Sequence, residues 1–194
     1  MTLAKRFGWG LGLFALLIAA AFLSMVRIRF DPPAQAVAEQ PAPAPAAAGA
    51  SLIIPVQGVR ADQLTDTWGQ SRGDGAREHH AIDIIAPKGT PVLAAATGTV
   101  EKIFESANGG HTIYVRTPDG GTIHYYAHLD SYGVAERQPV RQGQQIATVG
   151  NTGSAAAGAS HLHFEIKLMQ PGERWWQGMN VNPYPMLAGV GDAR

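Results

Sequence analysis

Two histidines near the C-terminal end of the chain are the first side chains whose spacing suits chemistry. His161 and His163 stand two residues apart in the run HLHFEIKL. This run is typical of a β-strand, in which residues i and i+2 point to the same face, so both imidazoles are expected on one side. Such a pair can supply two metal ligands, or one ligand and one base. The spacing by itself fits ordinary surface or core histidines equally well.

A second candidate group combines a histidine with a carboxylate. In HHAIDI, His79 and Asp83 stand four residues apart, where a Gly- and Arg-rich loop enters a β-branched run. In a fully extended chain the two side chains would lie about 13 Å apart. That separation is too large for one ion with bonds of about 2 Å. If the two residues share a metal, the chain must therefore bend between the loop and the strand.

Together these groups form a set of two imidazoles and one carboxylate. The chain contains no cysteine, so a metal would be held by histidine and carboxylate ligands alone. Three protein ligands with one open position are typical of catalytic zinc, whereas structural zinc sites are usually closed by four ligands. The sequence therefore predicts one Zn²⁺ ion in the domain, bound for catalysis.

A third group of polar side chains lies in the run IHYYAHL. Alternation along a strand places His128 on the same face as Tyr126 and His124. A metal-activated water needs a group that takes its proton, and His128 and the spare member of the His161 and His163 pair are the candidates. For His124 and Tyr126 the competing interpretation is a solvated or buried strand face without a role in chemistry.

Strands are needed to position these residues, and residues 51–194 have the pattern of an all-β domain. Short β-branched and aromatic runs alternate with Gly, Asn, Asp and Pro, without clear helical periodicity. The sequence PDGG at 118–121 predicts a hairpin turn. So many short strands predict an antiparallel β-sandwich or an open barrel-like sheet. The predicted strands are 52–56, 81–86, 91–96, 98–106, 111–117, 121–129, 144–150 and 161–168.

Charge and length exclude some functions. The 194 residues include 15 basic and 15 acidic side chains, which gives a formal net charge of zero, and the basic residues are scattered. Because nucleic-acid-binding proteins usually present a basic stripe, nucleic acid is not expected as a partner. The chain is long enough for one domain with a hydrophobic core once its N-terminal segment is subtracted.

Residues 1–29 have the features of a membrane anchor. Residues 7–26 contain no charged side chain and are flanked on each side by two basic residues. An apolar stretch of this length is sufficient for one transmembrane helix. The competing interpretation is a cleavable secretory signal, for which the stretch is long. Residues 30–50 are rich in Ala and Pro and predict an extended linker, which leaves 51–194 as the folded domain.

The ordered set of motifs resembles the M23 peptidases, the lysostaphin-like or LytM-type family. That family has the pattern H-x-x-x-D, then Tyr-x-His, then H-x-H near the end of the domain. This chain has HHAID at 79–83, YAH at 126–128 and HLH at 161–163. The flanking sequence also matches, and the resemblance covers most of the folded domain. It implies a lysostaphin-like β fold.

The resemblance implies a role for each of five residues. It implies that His79, Asp83 and His163 hold the zinc ion. His128 and His161 are implied to be the catalytic pair beside the bound water. The implied reaction is hydrolysis of peptide bonds in the stems or cross-links of bacterial peptidoglycan.

Two positions and one loop differ from the family pattern or are ambiguous in it. Ala81 stands where the family commonly has Gly, which leaves both neighbouring ligand positions intact. His80 creates an ambiguity of register, which the four-residue spacing to Asp83 decides in favour of His79. The aromatic loop at 170–181 is expected either to pack over the edge of the domain or to form a wall of a substrate groove.

Three functions are compatible with this resemblance. An active zinc endopeptidase is expected because all five functional positions are present. The first alternative is a catalytically inactive LytM-type regulator, which would bind and activate a separate cell-wall hydrolase as its protein partner. The second is a peptidoglycan- or partner-binding module that uses zinc for structure. Because peptidoglycan lies outside the cytoplasm, we expect a single-pass inner-membrane protein with its peptidase domain on the periplasmic side.

Overall fold

The computed structural model describes residues 51–73, 75 and 77–189. The predicted anchor at 1–29 and the predicted linker at 30–50 lie outside the described residues. Within the described part of the chain, no helix is long and apolar enough to cross a membrane.

Short strands account for most of the regular structure in the described residues. One helical turn, α1 (Tyr184–Ala188), follows the last strand, and 3-10 turns occur at Ala61–Gln63 and Gly153–Ala155. The strands are β1 (Ser71–Arg72), β2 (Arg77–Glu78), β3 (Ile82–Ile85), β4 (Pro91–Leu93), β5 (Gly98–Ser106), β6 (Gly110–Arg116), β7 (Thr122–Tyr132), β8 (Pro139–Val140), β9 (Gln145–Val149), β10 (His161–Leu168) and β11 (Met179–Val181).

Nine of these strands form one antiparallel sheet. The strand order along its main path is β11, β10, β7, β6, β5, β8. On the side of β10 away from β7, β3 pairs with the first half of β10 and β11 pairs with the second half. Strand β9 pairs with the end of β7 and also with β4. The remaining strands, β1 and β2, form a separate two-stranded ribbon. The prediction of an antiparallel β domain is therefore confirmed.

Agreement with the predicted strands is good for long strands and poor for short ones. Strands β5 and β10 have the predicted bounds. The predicted hairpin joins β6 to β7, and within its turn the Asp119 carboxylate accepts a hydrogen bond from the Gly121 amide over 3.1 Å. The predicted strand at 52–56 is wrong, because in that segment only Val56 forms a bridge. Pro55, which has no N–H, interrupts the ladder there.

Strand β10 separates the hydrophobic core from the polar face of the sheet. Leu162, Phe164 and Ile166 point into the main core, where at most 2% of each side chain is exposed. The alternate residues, from His161 onward, point to the opposite face and are only partly buried. Burial of the apolar side chains on one face stabilises β10 in this register, because a shift by one residue would expose them. The polar side chains on the other face are then available for a functional site.

An aromatic cluster covers part of that opposite face. Tyr114 and Tyr125 stack with their ring centroids 4.5 Å apart, and Met169 packs beside them. Trp175, from the loop at 170–178, contacts Tyr114 at 4.7 Å and Phe104 at 5.4 Å. The loop therefore packs over the sheet, as one of the two sequence interpretations expected, while the neighbouring Trp176 is 51% exposed.

Candidate metal centre and catalytic pair

Three of the predicted site residues converge on one point. The Nε2 atom of His79 lies 3.0 Å from both the Oδ1 atom of Asp83 and the Nδ1 atom of His163. The Nδ1 atom of His163 lies 3.1 Å from the same Asp83 oxygen. These three atoms form a nearly equilateral triangle, and within the described residues they are the only group of this kind.

A bend before β3 brings His79 and Asp83 together. His79 lies outside the strand, paired through its backbone with Gln70 and Gly69, and its ring is 4% exposed. Thr67 fixes both residues: its carbonyl accepts a hydrogen bond from His79 Nδ1 over 2.8 Å, and its hydroxyl accepts one from the Asp83 amide over 2.9 Å. Ala81, between them, is fully buried, so its methyl group is accommodated.

The carboxylate of Asp83 is held from two sides. Arg72, on β1, donates to its Oδ2 atom over 2.7 Å, which leaves Oδ1 facing the two histidines. Burial alone would raise the pKa of Asp83, but the hydrogen bonds from His163 and His79 outweigh burial and hold the pKa well below its usual value. Asp83 is therefore an anion at neutral pH.

The ring of His163 lies between two carboxylates. Its Nδ1 atom faces Asp83, and its Nε2 atom donates to the Oε1 atom of Glu165 over 3.1 Å. Burial would lower the pKa of His163, but the two carboxylates raise it to about 9. A proton therefore occupies this position in the metal-free site, and a cation would compete with that proton.

The three converging atoms fit a divalent cation. The second nitrogen of each imidazole is already engaged as a donor, by the Thr67 carbonyl for His79 and by Glu165 for His163. With Nε2 of His79 and Nδ1 of His163 deprotonated, each ring would present a lone pair to a cation beside the Asp83 oxygen. Separations of 3.0–3.1 Å approach the edge of a tetrahedron around an ion with bonds of about 2.0 Å, which is about 3.3 Å.

His128 joins this site through an irregularity in β7. The sequence prediction that it shares a face with His124 and Tyr126 is wrong. Tyr126 pairs with Ile113 but Leu129 pairs with His111, so β7 carries one extra residue opposite Thr112. His128 takes up this bulge with a φ of 60°. The side chain consequently turns to the face of β10 that carries His161.

His128 and His161 face each other beside the three ligand candidates, with ring centroids 5.0 Å apart. Each Nδ1 donates to a backbone carbonyl over 2.8 Å, that of Thr152 for His128 and that of Ala159 for His161. Each ring therefore turns Nε2 away from its backbone partner, and the Nε2 atom of His161 lies 3.8 Å from Asp83 Oδ1. Burial, with a smaller contribution from the nearby His163, lowers the pKa of His128 to about 4, so His128 is neutral at pH 7.

His124 and Tyr126 of β7 belong to the core. The His124 ring is 2% exposed and stacks on Phe164 at 5.8 Å, and burial lowers its pKa to about 4. The hydroxyl of Tyr126 accepts a hydrogen bond from the buried Ala95 amide over 2.9 Å. The interpretation of a buried strand face without chemistry is thus the correct one for both.

An open cleft of about 620 Å³ gives access to these residues. His128 and His161 line it together with the three ligand candidates. Asn108 and Ser154 line one part, and Asn180, from the predicted groove loop, lines another. The loop at 170–181 therefore combines the two expected roles, since it packs over the sheet and contributes one residue to the cleft.

The family model for peptidase family M23 matches residues 77–183 of this chain. The chain belongs to peptidase family M23. The resemblance seen in the sequence is thereby confirmed, and the matched segment includes every residue of the triangle and of the histidine pair.

Two curated relatives of this M23 chain differ in function. The chain is 35% identical over 138 residues to the L-Ala–D-Glu endopeptidase of Bacillus subtilis, covering 66% of this chain and 41% of that protein. It is 32% identical over 125 residues to the murein hydrolase activator NlpD of Escherichia coli, covering 64% of this chain and 29% of that protein. The chain thus spans less than half the length of either relative.

The fold of the M23 domain is also that of a solved peptidase. The catalytic domain of the antimicrobial peptidase lysostaphin from Staphylococcus simulans superposes with a TM-score of 0.54 and 28% sequence identity. The match covers 63% of this chain and 89% of that one. The predicted lysostaphin-like β fold is therefore confirmed.

Sequence reasoning missed two residues of the M23 site. Glu165 stands two residues after His163, so strand alternation alone could have placed it beside the predicted site. Arg72 lies 11 residues before Asp83, and its contact depends on the ribbon formed by β1 and β2. A two-residue strand leaves no periodic pattern, so the sequence offered no signal for Arg72.

Proposed function

We propose that this chain is a zinc-dependent endopeptidase that hydrolyses peptide bonds in the stems or cross-links of bacterial peptidoglycan. The observation that carries the proposal is the convergence of His79, Asp83 and His163 beside the facing pair His128 and His161, all in one open cleft. Two imidazoles and one carboxylate leave a coordination position open, which is the composition of a catalytic zinc site.

The donor set suits zinc within a family of zinc metallopeptidases. Zinc bound by His79, Asp83 and His163 would polarise the substrate carbonyl and lower the pKa of a water molecule. The protein contributes the orientation of these ligands and the position of the histidine pair. Hydrogen bonds to the carbonyl and carboxylate partners fix both ligand tautomers before any substrate binds.

His128 and His161 supply the proton transfers of hydrolysis. His128 is neutral at pH 7 because of its burial, so its Nε2 atom can accept the proton of the attacking water. The proton is then needed by the nitrogen atom that leaves when the peptide bond breaks. His161 faces His128 in the same cleft, with ring centroids 5.0 Å apart, and is the second group proposed for these proton transfers.

The relatives suggest the substrate class and one alternative. The Bacillus subtilis relative is an endopeptidase, whereas the Escherichia coli relative is an activator of murein hydrolases. An activator has no need of metal ligands beside a pair of histidines, and in this chain three candidate ligands converge beside the facing rings of His128 and His161. We therefore favour the enzyme and keep the activator, with a hydrolase as its protein partner, as the alternative.

We also propose that residues 1–29 anchor the protein in the inner membrane and that 30–50 tether the domain on the periplasmic side. The support is the uncharged stretch at 7–26 and the position of peptidoglycan outside the cytoplasm. Fusion of a reporter that is active only outside the cytoplasm to the C-terminus tests this orientation. An inactive reporter on a stable fusion would contradict it.

Muropeptide release tests the enzymatic function directly. The full chain in detergent is incubated with purified peptidoglycan, with and without a zinc chelator, and then with zinc restored. We expect chelator-sensitive cleavage of stem peptides or cross-links, and mass analysis of the products identifies the bond. Intact peptidoglycan with folded, zinc-loaded protein would instead support the activator. In that case addition of a cell-wall amidase should reveal stimulation of that second enzyme.

A further inference from the structure

The only carboxylate that contacts His163 on the side away from the ligand triangle is that of Glu165, within the described residues. Both residues lie on the same face of β10, and the Nε2 atom of His163 donates to Glu165 Oε1 over 3.1 Å. The Glu165 side chain is only 15% exposed. A carboxylate in such a position costs desolvation free energy unless other groups compensate its charge.

Two neighbours compensate that charge at its second oxygen. The Oε2 atom of Glu165 accepts a hydrogen bond from Asn180 Nδ2 over 2.8 Å and forms an ion pair with Lys167 Nζ over 3.2 Å. Lys167 also donates to Asn180 Oδ1 over 2.9 Å, which closes a small ring of polar contacts. Lys167 is itself 14% exposed, so the ring is largely shielded from solvent. The carboxylate of Glu165 is therefore fixed in place.

The same ring connects the ends of three segments near the site. Asn180 lies on β11, while Glu165 and Lys167 lie on β10. The second amide hydrogen of Asn180 is donated to the His80 carbonyl over 3.0 Å, at the residue after His79. The position of Glu165 is thus coupled to both histidines of the triangle, directly for one and through the backbone for the other.

The two histidines of the triangle have different partners. His79 donates its second N–H to a neutral acceptor, the carbonyl of Thr67. His163 donates its second N–H to an anion. A carboxylate partner fixes the tautomer and ring orientation of a ligating imidazole and increases its basicity, and loss of such a partner typically weakens metal binding by about 10- to 100-fold.

We infer that Glu165, held by Lys167 and Asn180, is a positioning residue that keeps His163 protonated at Nε2 and directs its Nδ1 atom at the metal. The inference rests on the metal site of the proposed function and does not require peptidase activity. Its role is orientation and electron donation through the imidazole, without contact with substrate.

Zinc affinity of the full chain in detergent is the measurement that tests this role. Competition with a chromophoric chelator gives the dissociation constant for wild type, Glu165→Gln and Glu165→Ala. We expect about 10-fold weaker binding for Glu165→Gln, which keeps a neutral acceptor, and up to about 100-fold weaker binding for Glu165→Ala. Unchanged affinity in Glu165→Ala would overturn the inference.

A matched control separates this role from the general loss of an ion pair. Glu101, on β5, forms a partly buried ion pair with Arg116 away from the cleft. Glu101→Gln should bind zinc with wild-type affinity. If it weakens zinc binding as much as Glu165→Gln does, the effect belongs to the stability of the sheet and the inference fails.

Two further measurements cover the case in which Glu165→Ala does not fold. The double variant Glu165→Gln with Lys167→Met removes both charges of the ion pair, so no uncompensated cation stays buried. It should fold and still bind zinc about 10-fold more weakly. In ¹H–¹⁵N spectra of the zinc-loaded wild type, the Nε2 proton of His163 should be slow to exchange, and its exchange should be faster in the variants. Wild-type affinity and an unchanged exchange rate in the double variant would refute the inference.

These outcomes are distinguishable from failure of the proposed function. Zinc affinity and the imidazole signal report on the metal site alone. A protein that binds zinc in the expected Glu165-dependent way but leaves peptidoglycan intact would retain this inference and lose the endopeptidase proposal.

Discussion

Arg72 and Asp83 form an ion pair in which a guanidinium nitrogen lies 2.7 Å from Oδ2, so that the two carboxylate oxygens have different partners. Oδ2 accepts from the guanidinium, and Oδ1 faces His79 and His163. The Asp83 side chain is 14% exposed and that of Arg72 is 34% exposed. In the absence of a metal, the guanidinium of Arg72 therefore partly compensates the negative charge of the largely buried Asp83 carboxylate.

Arg72→Met should destabilise the metal-free protein more than the zinc-loaded one. Removal of the guanidinium leaves the Oδ2 atom of Asp83 without its charged donor, at a cost of about 1–2 kcal/mol after allowance for the exposure of Arg72. Zinc compensates the same charge when it is bound. Urea unfolding with and without zinc measures the difference. Arg60→Met, in a pair whose side chains are both 69% exposed, is the control and should change stability by less than about 0.5 kcal/mol. Equal destabilisation in both metal states would contradict this account.

Alanine substitutions at the two adjacent histidines test which of them belongs to the metal centre. The Nε2 atom of His79 points into the triangle, whereas His80 is exposed and contacts Trp68 and Glu78. His79→Ala should lose at least about 100-fold in zinc affinity, since one of three ligands is removed. His80→Ala should bind zinc as wild type does. Isothermal titration with zinc distinguishes the two, and the reverse result would show that the assigned register is wrong.

His128→Ala should abolish turnover while zinc stays bound. His128 lies outside the ligand triangle, and its Nε2 atom is free to exchange a proton. Loss of a general acid or base typically lowers the rate about 10²- to 10⁴-fold. Muropeptide release and zinc content are measured on the same preparation, with His161→Ala in parallel. Substantial turnover by a zinc-loaded His128→Ala protein would count against the mechanism.

The residues named from the sequence as a candidate site lie together in the structure, whereas several of the strands that hold them were predicted poorly. Long strands such as β5 and β10 have enough residues to establish period-two alternation, and their bounds were predicted correctly. Two-residue strands such as β1 and β8 carry no such signal. The bend that brings His79 to Asp83 depends on Thr67, 12 residues earlier than His79, so residue spacing required a bend without indicating its geometry.

His128 illustrates where alternation fails for a physical reason. The rule assumes uniform pairing, but the extra residue opposite Thr112 turns His128 to the face of His161 and returns Leu129 to the core. The resemblance to the family pattern implied that His128 lies beside His161, whereas alternation did not. A single sequence without that pattern predicts the wrong face. For Glu165 the opposite holds. Alternation along β10 was sufficient to place it on the face of His163, but its hydrogen bond with that histidine was not predicted.

The pH dependence of stability should report on His124, which the chemistry does not use. Burial lowers its pKa to about 4, and its Nδ1 atom has no hydrogen-bond partner among the described residues. In the unfolded chain its pKa is about 6.5. The unfolded state therefore binds more protons below pH 6.5. Folding stability is complete above that pH and is lost as the pH falls toward 4, by about 3 kcal/mol in total.

His124→Leu removes this contribution and also removes an unpaired buried nitrogen. The variant should be at least as stable as wild type at pH 7.5, because an unsatisfied polar group costs about 1–3 kcal/mol. Its advantage should then grow as the pH falls from 6.5 to 4. Urea unfolding of the metal-free proteins at several pH values measures this difference. Because both proteins contain the same cleft histidines, their titration cancels in the comparison. Parallel stability curves for the two proteins would mean that His124 binds a proton as readily in the fold as in the unfolded chain, and the assignment of a neutral core histidine would be wrong.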